Sequence, residues 1–346
     1  MHFGIFLEES RHGVSHDTAL REILELAETA EAWGVDGAWL GEIHFNPARS
    51  IMAAPLVMAS FIAARTQRMR VGTAVQVLPL GNPLRIAEEV ATIDHLSRGR
   101  FDFGIGRSGS ARTYSVLNIP YGESQARFVE ALEMIRQAWK GETFTYEGTF
   151  YRCTNALVAP QPYQRPSPPM RMAANTPETF LVVGRLGLQL FVGVRDLDIA
   201  ELRVHIASYR QAYREAGHPG RPDVYLRIPV YAAATAQAAF DEPRENIMFF
   251  FERQAELMRG GMGRAGAAQV REARAEHLGA MSYDEILKSR VAFGTAAALI
   301  ERFGQLRDEL GLDGIVVELN PGGLLSLEQS RRSLRIITEE VIPAFR

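Results

Sequence analysis

Short runs of branched and aromatic residues alternate with longer amphipathic runs along nearly the whole chain, and this alternation limits the fold more than any other feature. It reads as parallel βα units. Phe3–Leu7 is the first predicted strand. Asp17–Trp33 follows with Leu20, Ile23, Leu24, Ala27 and Ala30 at helical spacing, and Gly34 stops it. Gly37–Gly41, Arg70–Pro79 and Arg100–Ile105 are the next strands, separated by helices over Ile51–Arg65 and near Leu84–Leu96. A loop over Arg107–Glu123 precedes a helix over Ser124–Trp139, whose apolar stripe is Phe128, Leu132, Ile135 and Trp139. Thr143–Tyr151 reads as an inserted hairpin around Glu147-Gly148. Met170–Ala174, Leu188–Val194, Tyr225–Ala232 and Gly314–Leu319 complete the strands, with helices from Pro177, over Ile199–Ala216, Thr295–Leu310 and Leu327–Val341. Ala236–Arg290 is long and rich in Arg, Gly and Ala. It is expected to hold a helix and then a mobile excursion that includes the run RGGMGRAGAAQ. The count of eight strands and eight helices favours a closed (β/α)8 barrel: one domain over residues 1–346, with insertions near 141–168 and 241–292. No internal repeat interrupts it.

Composition narrows the partners. With 346 residues, 47% of them hydrophobic, the chain can bury a large core, and a net charge of -3 gives no electrostatic reason for nucleic acid or an anionic membrane as partner. The single cysteine, Cys153, excludes an internal disulfide and a Cys-rich metal site. The opening residues do not read as a signal peptide. The longest apolar run, Ile51–Ala64, falls short of the roughly 20 residues a membrane span needs. A soluble cytoplasmic protein is expected, without metal. Because Ile51–Ala64 is apolar on all sides, it is expected to form the subunit interface of a homodimer.

In such a barrel, chemistry sits at the C-terminal ends of the strands. Those ends carry Glu42 and His44, Ala74–Pro79, Gly106–Arg107, Ala174–Asn175, Val194–Arg195, Ala232 and Asn320. No nucleophile elbow, HExxH or carboxylate cluster is among them, and a mostly apolar rim with few polar groups suits an organic cofactor. Gly104-Ile-Gly106-Arg-Ser-Gly109 matches GxGxxG after a strand. Tyr114, Pro120 and Gly122 are expected to delay the next helix, which argues against a dinucleotide site. The glycines then serve either a tight turn or the close approach of a flat ring, with Arg107 reaching a phosphate. Arg127 in the first turn of its helix opposes the macrodipole. An anion between Arg107 and Arg127 would relieve that, and pairing with Glu123 or Glu130 is the alternative. Asn175-Thr176-Pro177-Glu178 reads as a helix start whose capping explains it, or whose N-terminus faces a phosphate with Thr179 adding a hydroxyl. His44 is either structural or a group that titrates near neutral pH at the catalytic mouth.

The segments Ala38-Trp-Leu-Gly-Glu42-Ile-His44-Phe45, Val71-Gly-Thr-Ala-Val-Gln-Val-Leu-Pro79, Asn82-Pro-Leu-Arg-Ile-Ala-Glu-Glu89 and Asp94-His-Leu-Ser-Arg-Gly-Arg-Phe101 through Arg107 resemble, in order and spacing, bacterial luciferase and its luciferase-like monooxygenase relatives. The likeness covers about the first 110 residues well and extends more weakly to the end. It implies a (β/α)8 barrel that takes reduced FMN from a separate flavin reductase and uses dioxygen to oxygenate a small organic substrate. By position, Ala74 and Val75 would lie under the flavin ring, where the family often has a non-proline cis peptide. Gly106 would sit against the ring, Ala173 and Ala174 would line its edge, and Glu42 would belong to the same site. Arg107 and Arg127 would hold the phosphate with Asn175 and Thr179. His44 would be the catalytic residue. Two positions depart from the family: Ile43 stands where the luciferase catalytic subunit has its catalytic histidine, and Gly106 where it has a cysteine. The resemblance therefore does not imply light emission from a long-chain aldehyde. A deazaflavin-dependent hydride-transfer reductase of the same fold and a flavin-binding protein without turnover are the alternatives, with a NAD-linked dehydrogenase last.

Overall fold

The computed structural model describes residues 1–8, 11–108, 110–259 and 265–346, with backbone only over 265–271. The strands are β1 (His2–Leu7), β2 (Gly37–Leu40), β3 (Arg70–Thr73), β4 (Gln76–Val77), β5 (Phe101–Gly106), β6 (Phe144–Glu147), β7 (Arg152–Ala156), β8 (Met170–Ala173), β9 (Gln189–Gly193), β10 (Val224–Ala232), β11 (Ala292–Gly294) and β12 (Gly314–Glu318). The α-helices are α1 (His16–Ala32), α2 (Pro55–Arg65), α3 (Pro83–Leu96), α4 (Ala111–Val116), α5 (Ser124–Ala138), α6 (Pro177–Arg185), α7 (Ile199–Glu215), α8 (Ala236–Asp241), α9 (Arg244–Arg259), α10 (Ala265–Ala280), α11 (Tyr283–Ser289), α12 (Ala296–Leu310) and α13 (Leu327–Ile336).

Eight parallel strands close on themselves in the order β1-β2-β3-β5-β8-β9-β10-β12, and β12 returns to β1 with His2 opposite Gly314. The chain is a (β/α)8 barrel. Strand periodicity sorts the side chains. Phe3, Ile5 and Leu7 of β1 join the main core between sheet and helices. Phe6 points the other way, into a cluster with Trp39, Phe191, Tyr225 and Val316 along the barrel axis. Trp39 fills that axis because β1 and β3 carry glycines beside it: a Cβ on Gly4 would lie 2.7 Å from the indole, and one on Gly72 2.6 Å. Truncating such a residue to alanine typically costs about 3–5 kcal/mol.

Several expectations need correction. The third strand is not continuous. It breaks between Thr73 and Gln76, and Leu78–Leu80 turns as a 3-10 helix. The Arg107–Glu123 loop is not free of helix, because Ser110 caps the short α4 by accepting from the Thr113 N–H. The hairpin extends to Ala156, with its turn at residues 148–151. The second helix starts at Pro55 rather than Ile51, as fits proline in the first turn. Among the described residues, the segment after β10 holds four helices, α8 to α11, and ends in the unexpected β11, which pairs with the end of β10. Of the expected mobile run, residues 260–264 lie outside the described residues, as does Gly109.

Candidate active site

The C-terminal mouth is shaped first by backbone. The Ala74–Val75 peptide, in the break between β3 and β4, is cis. Ala74 donates its N–H to the Leu40 carbonyl at 2.6 Å. β5 lies flush against this break because it carries glycine there. A Cβ on Gly106 would sit 2.4 Å from Val75 Cγ2, and one on Gly104 only 1.7 Å from the Thr73 carbonyl oxygen. Ala173 follows on the neighbouring strand β8, in register with Phe191, and the buried Ala174 donates to the Phe191 carbonyl at 3.2 Å. The outcome is a floor of small side chains at the mouth.

Glu42 and His44 stand at the rim, just past β2. Glu42 Oε2 accepts from the Val77 N–H at 2.7 Å, and its Oε1 lies 2.7 Å from His44 Nε2. Burial pushes the Glu42 carboxyl above its ordinary range, against the opposing pull of His44 and the Val77 N–H. Between them, Ile43 is tied by its N–H to the Met52 carbonyl at 2.9 Å.

Arg107 and Arg127 meet at the start of α5. Arg107 Nη1 donates to Ser124 Oγ at 3.0 Å, and its carbonyl accepts from the buried Tyr114 hydroxyl. Arg127 pairs with Glu123, with Nε donating at 3.0 Å, and lies 4.5 Å over the Phe150 ring. The alternative of a local partner for Arg127 is thus what the structure shows. The expected helix start is present: Thr176 is the N-cap of α6, with Pro177 in its first turn, although it makes no side-chain capping bond. Asn175 donates its amide to Asp196 at 2.9 Å, and the hydroxyls of Thr176 and Thr179 lie 2.9 Å apart. Neither Asn175 nor Thr179 is bonded to Arg107 or Arg127. Glu178 points to solvent.

A charged cluster at the mouth was not anticipated. Glu8, just past β1, ion-pairs with Arg49, with Arg227 at 3.4 Å and with Arg195 at 3.6 Å. Glu318 of β12 pairs with Arg227 and lies 3.9 Å from Arg195. Burial, Arg227 and Arg49 push the Arg195 guanidinium down to about 10, while Glu8 and Glu318 oppose them. The signal was present as charges in apolar runs: Arg227 in VYLRIPVYA and Glu318 in GIVVE. Helix α9 covers this mouth. Phe250 lies 5.3 Å from the Arg195 guanidinium, Arg253 donates to the Ala48 carbonyl at 2.6 Å, and Asn246 accepts from the Leu324 N–H at 3.0 Å. A hollow of about 560 Å³ opens at the opposite end of the barrel and is lined by His2, Asp36, Arg68, Arg70 and Arg346. Strand direction, not this hollow, marks the site.

A closed parallel barrel with a shared charge network and the Glu42–His44 pair at its C-terminal mouth is laid out as a barrel enzyme. Residues 1–314 match the family described as luciferase-like monooxygenase, and the chain belongs to that family. Its class is accordingly that of the flavin-dependent oxidoreductases. It is 26% identical over 332 residues to the oxygenase component of a flavin-dependent trigonelline monooxygenase from Acinetobacter baylyi, covering 94% of this chain and 89% of that one. An F420-dependent glucose-6-phosphate dehydrogenase from Kineococcus radiotolerans is 34% identical over 173 residues, 48% of this chain and 50% of its own. The crystal structure of a monooxygenase from Streptomyces bottropensis superposes with a TM-score of 0.84 at 25% identity, over 100% of both chains.

Proposed function

We propose that this enzyme is the oxygenating half of a two-component monooxygenase: it takes reduced FMN from a separate flavin reductase and inserts oxygen into a small organic substrate. The observation that carries the reading is the Glu42–His44 pair fixed to the Val77 N–H, at the edge of the small-residue floor made by Ala74, Val75 and Gly106. In this reading Ala74, Val75, Gly106, Ala173 and Ala174 seat the ring, while Arg107 and Arg127 hold the phosphate beside Ser124. Asn175 and Thr179 lie one strand further on and reach the phosphate only by leaving Asp196 and Thr176. When bound, the reduced flavin supplies the electrons that activate dioxygen. His44 is the catalytic residue. With Nε2 held by the Glu42 carboxylate, Nδ1 is the atom left to give or take a proton, and the carboxylate stabilises the charged ring. Glu42 positions it. The covering helix α9 keeps water from the mouth.

The 26%-identical relative is named an oxygenase component, which supports a reductase partner. The F420-dependent relative favours a second reading, hydride transfer with a deazaflavin. An anaerobic titration with FMN and with F420, each oxidised and reduced, followed by air, separates the two. Tight binding of reduced FMN with dioxygen uptake coupled to substrate loss is expected. Preference for F420 without dioxygen uptake would move the chain to hydride transfer.

We further propose a homodimer through α2, whose Val57 and Phe61 are 71% and 53% exposed one turn apart. A monomer by sedimentation velocity at high concentration would exclude it. No helix among the described residues is long and apolar enough to cross a membrane, which accords with the proposed cytoplasmic location.

A further inference from the structure

The hydroxyl of Tyr151 is enclosed beside the Arg127 guanidinium, which can only donate to it, and no acceptor among the described residues takes its proton in hydrogen-bond geometry. Folded proteins rarely leave such a group unmet unless a ligand, water or ion completes it. Its surroundings point to the kind of ligand. Tyr151 closes the turn of the inserted hairpin, and that turn is gripped by α5. The Glu130 carboxylate accepts from the backbone N–H groups of Thr149 at 3.1 Å, Phe150 at 3.0 Å and Tyr151 at 2.8 Å. Gly148 permits the grip, since a Cβ there would lie 1.7 Å from Glu130 Oε1. Arg127 stands one turn before Glu130 on the same helix face. The helix that carries the arginine therefore also sets the hairpin against it, with the Phe150 ring stacked on the guanidinium. Burial pushes the Tyr151 hydroxyl up, and the Arg127 charge beside it pulls the other way. Tyr114, which donates to the Arg107 carbonyl, lies within electrostatic reach of the same hydroxyl.

A phenol kept protonated by burial is a hydrogen-bond donor. Beside the Arg127 guanidinium, with Arg107 at the start of the same helix, the acceptor that suits this phenol is an anionic oxygen. We propose that Tyr151 donates a hydrogen bond to the terminal phosphate of the cofactor, so that the inserted hairpin, and not the barrel alone, selects a phosphorylated flavin. The inference rests on reading Arg107 and Arg127 as the phosphate site.

The test is binding of FMN and of riboflavin, by flavin fluorescence, to the wild type, Tyr151→Phe and Arg107→Ala. Tyr151→Phe is expected to weaken FMN about tenfold and leave riboflavin unchanged. Its cofactor-free thermal midpoint should equal or exceed the wild-type value, because the lost hydroxyl had no acceptor for its proton. Unchanged FMN affinity, equal weakening of both flavins, or a lowered cofactor-free midpoint would each overturn the proposal. If Arg107→Ala also leaves FMN binding unchanged, the phosphate reading itself falls. If only Tyr151→Phe is silent, that reading stands and the hairpin is merely packed against it.

Discussion

The two ends of the barrel interior both bury charge, but they do so differently. At the N-terminal end the charges rest on neighbouring carboxylates, backbone carbonyls and aromatic rings, and Arg70 alone donates to Asp102, Gln164 and the Gly99 and Phe101 carbonyls. Arg70 Nε holds Asp102 at 2.5 Å, Arg171 lies 3.6 Å over the Tyr225 ring, and His2 stacks on Tyr225 at 4.7 Å with burial pushing its pKa down to about 3. At the C-terminal mouth, Glu8 and Glu318 divide themselves among Arg49, Arg195 and Arg227, which come from three different strands and loops. A charge tied to backbone and rings has one arrangement and serves stability. A shared network can exchange partners when a ligand arrives, at small cost. The difference fits a barrel that is held together low down and works at the top.

Substitutions should fall on either side of that line. The largest effect is expected at Gly104→Ala, where the new methyl would meet the Thr73 carbonyl at 1.7 Å. Urea unfolding should show a loss of roughly 3 kcal/mol or more. A near-neutral result would mean that the β3–β4 break yields easily and is not part of the rigid frame. Next is His44→Ala, which should cost about a hundredfold in turnover while sparing flavin affinity and stability. If it lowers stability instead, His44 belongs with the structural end. Arg107→Ala follows, weakening FMN by about 2 kcal/mol through the loss of a charge-assisted contact, with unfolding unchanged. An unaltered dissociation constant would remove Arg107 from the phosphate site. The smallest effect concerns pH. Folding favours the protonated form of Glu42, so stability present below the ordinary carboxylate range is lost as pH rises through its raised value. Glu42→Gln should abolish that fall, so that its urea midpoint changes less than the wild-type value between acidic and neutral pH. Parallel pH profiles for the two proteins would show that His44 fully compensates the burial.

Much of this was readable from the chain. Strand and helix alternation located all eight barrel strands to within two residues at most ends, because period-two and period-3.6 patterns are local. The exception was the third strand, where nothing in VGTAVQV marks a break that depends on β5 lying alongside. The mouth residues Glu42, His44, Ala74, Val75, Gly106 and Arg107 could be named because they sit at strand ends in motifs. The helix start at Thr176-Pro177 was legible, but the bond from Asn175 to Asp196 was not, because that partner is 21 residues away and lies on the next loop. Tyr151 was invisible for a similar reason: its meaning comes from Glu130 and Arg127 on a different element. Contacts between elements carry no periodicity.

The pairing of β1 with β12 has a consequence for how the protein is made. Those strands are separated by about 310 residues. On a ribosome adding 5–20 residues per second, the first strand waits roughly 15–60 s for its neighbour. Throughout that interval one backbone edge of HFGIFL is unmatched, and so is its apolar face. The nascent chain is thus longest exposed at its very beginning, where a holding chaperone would have most to protect.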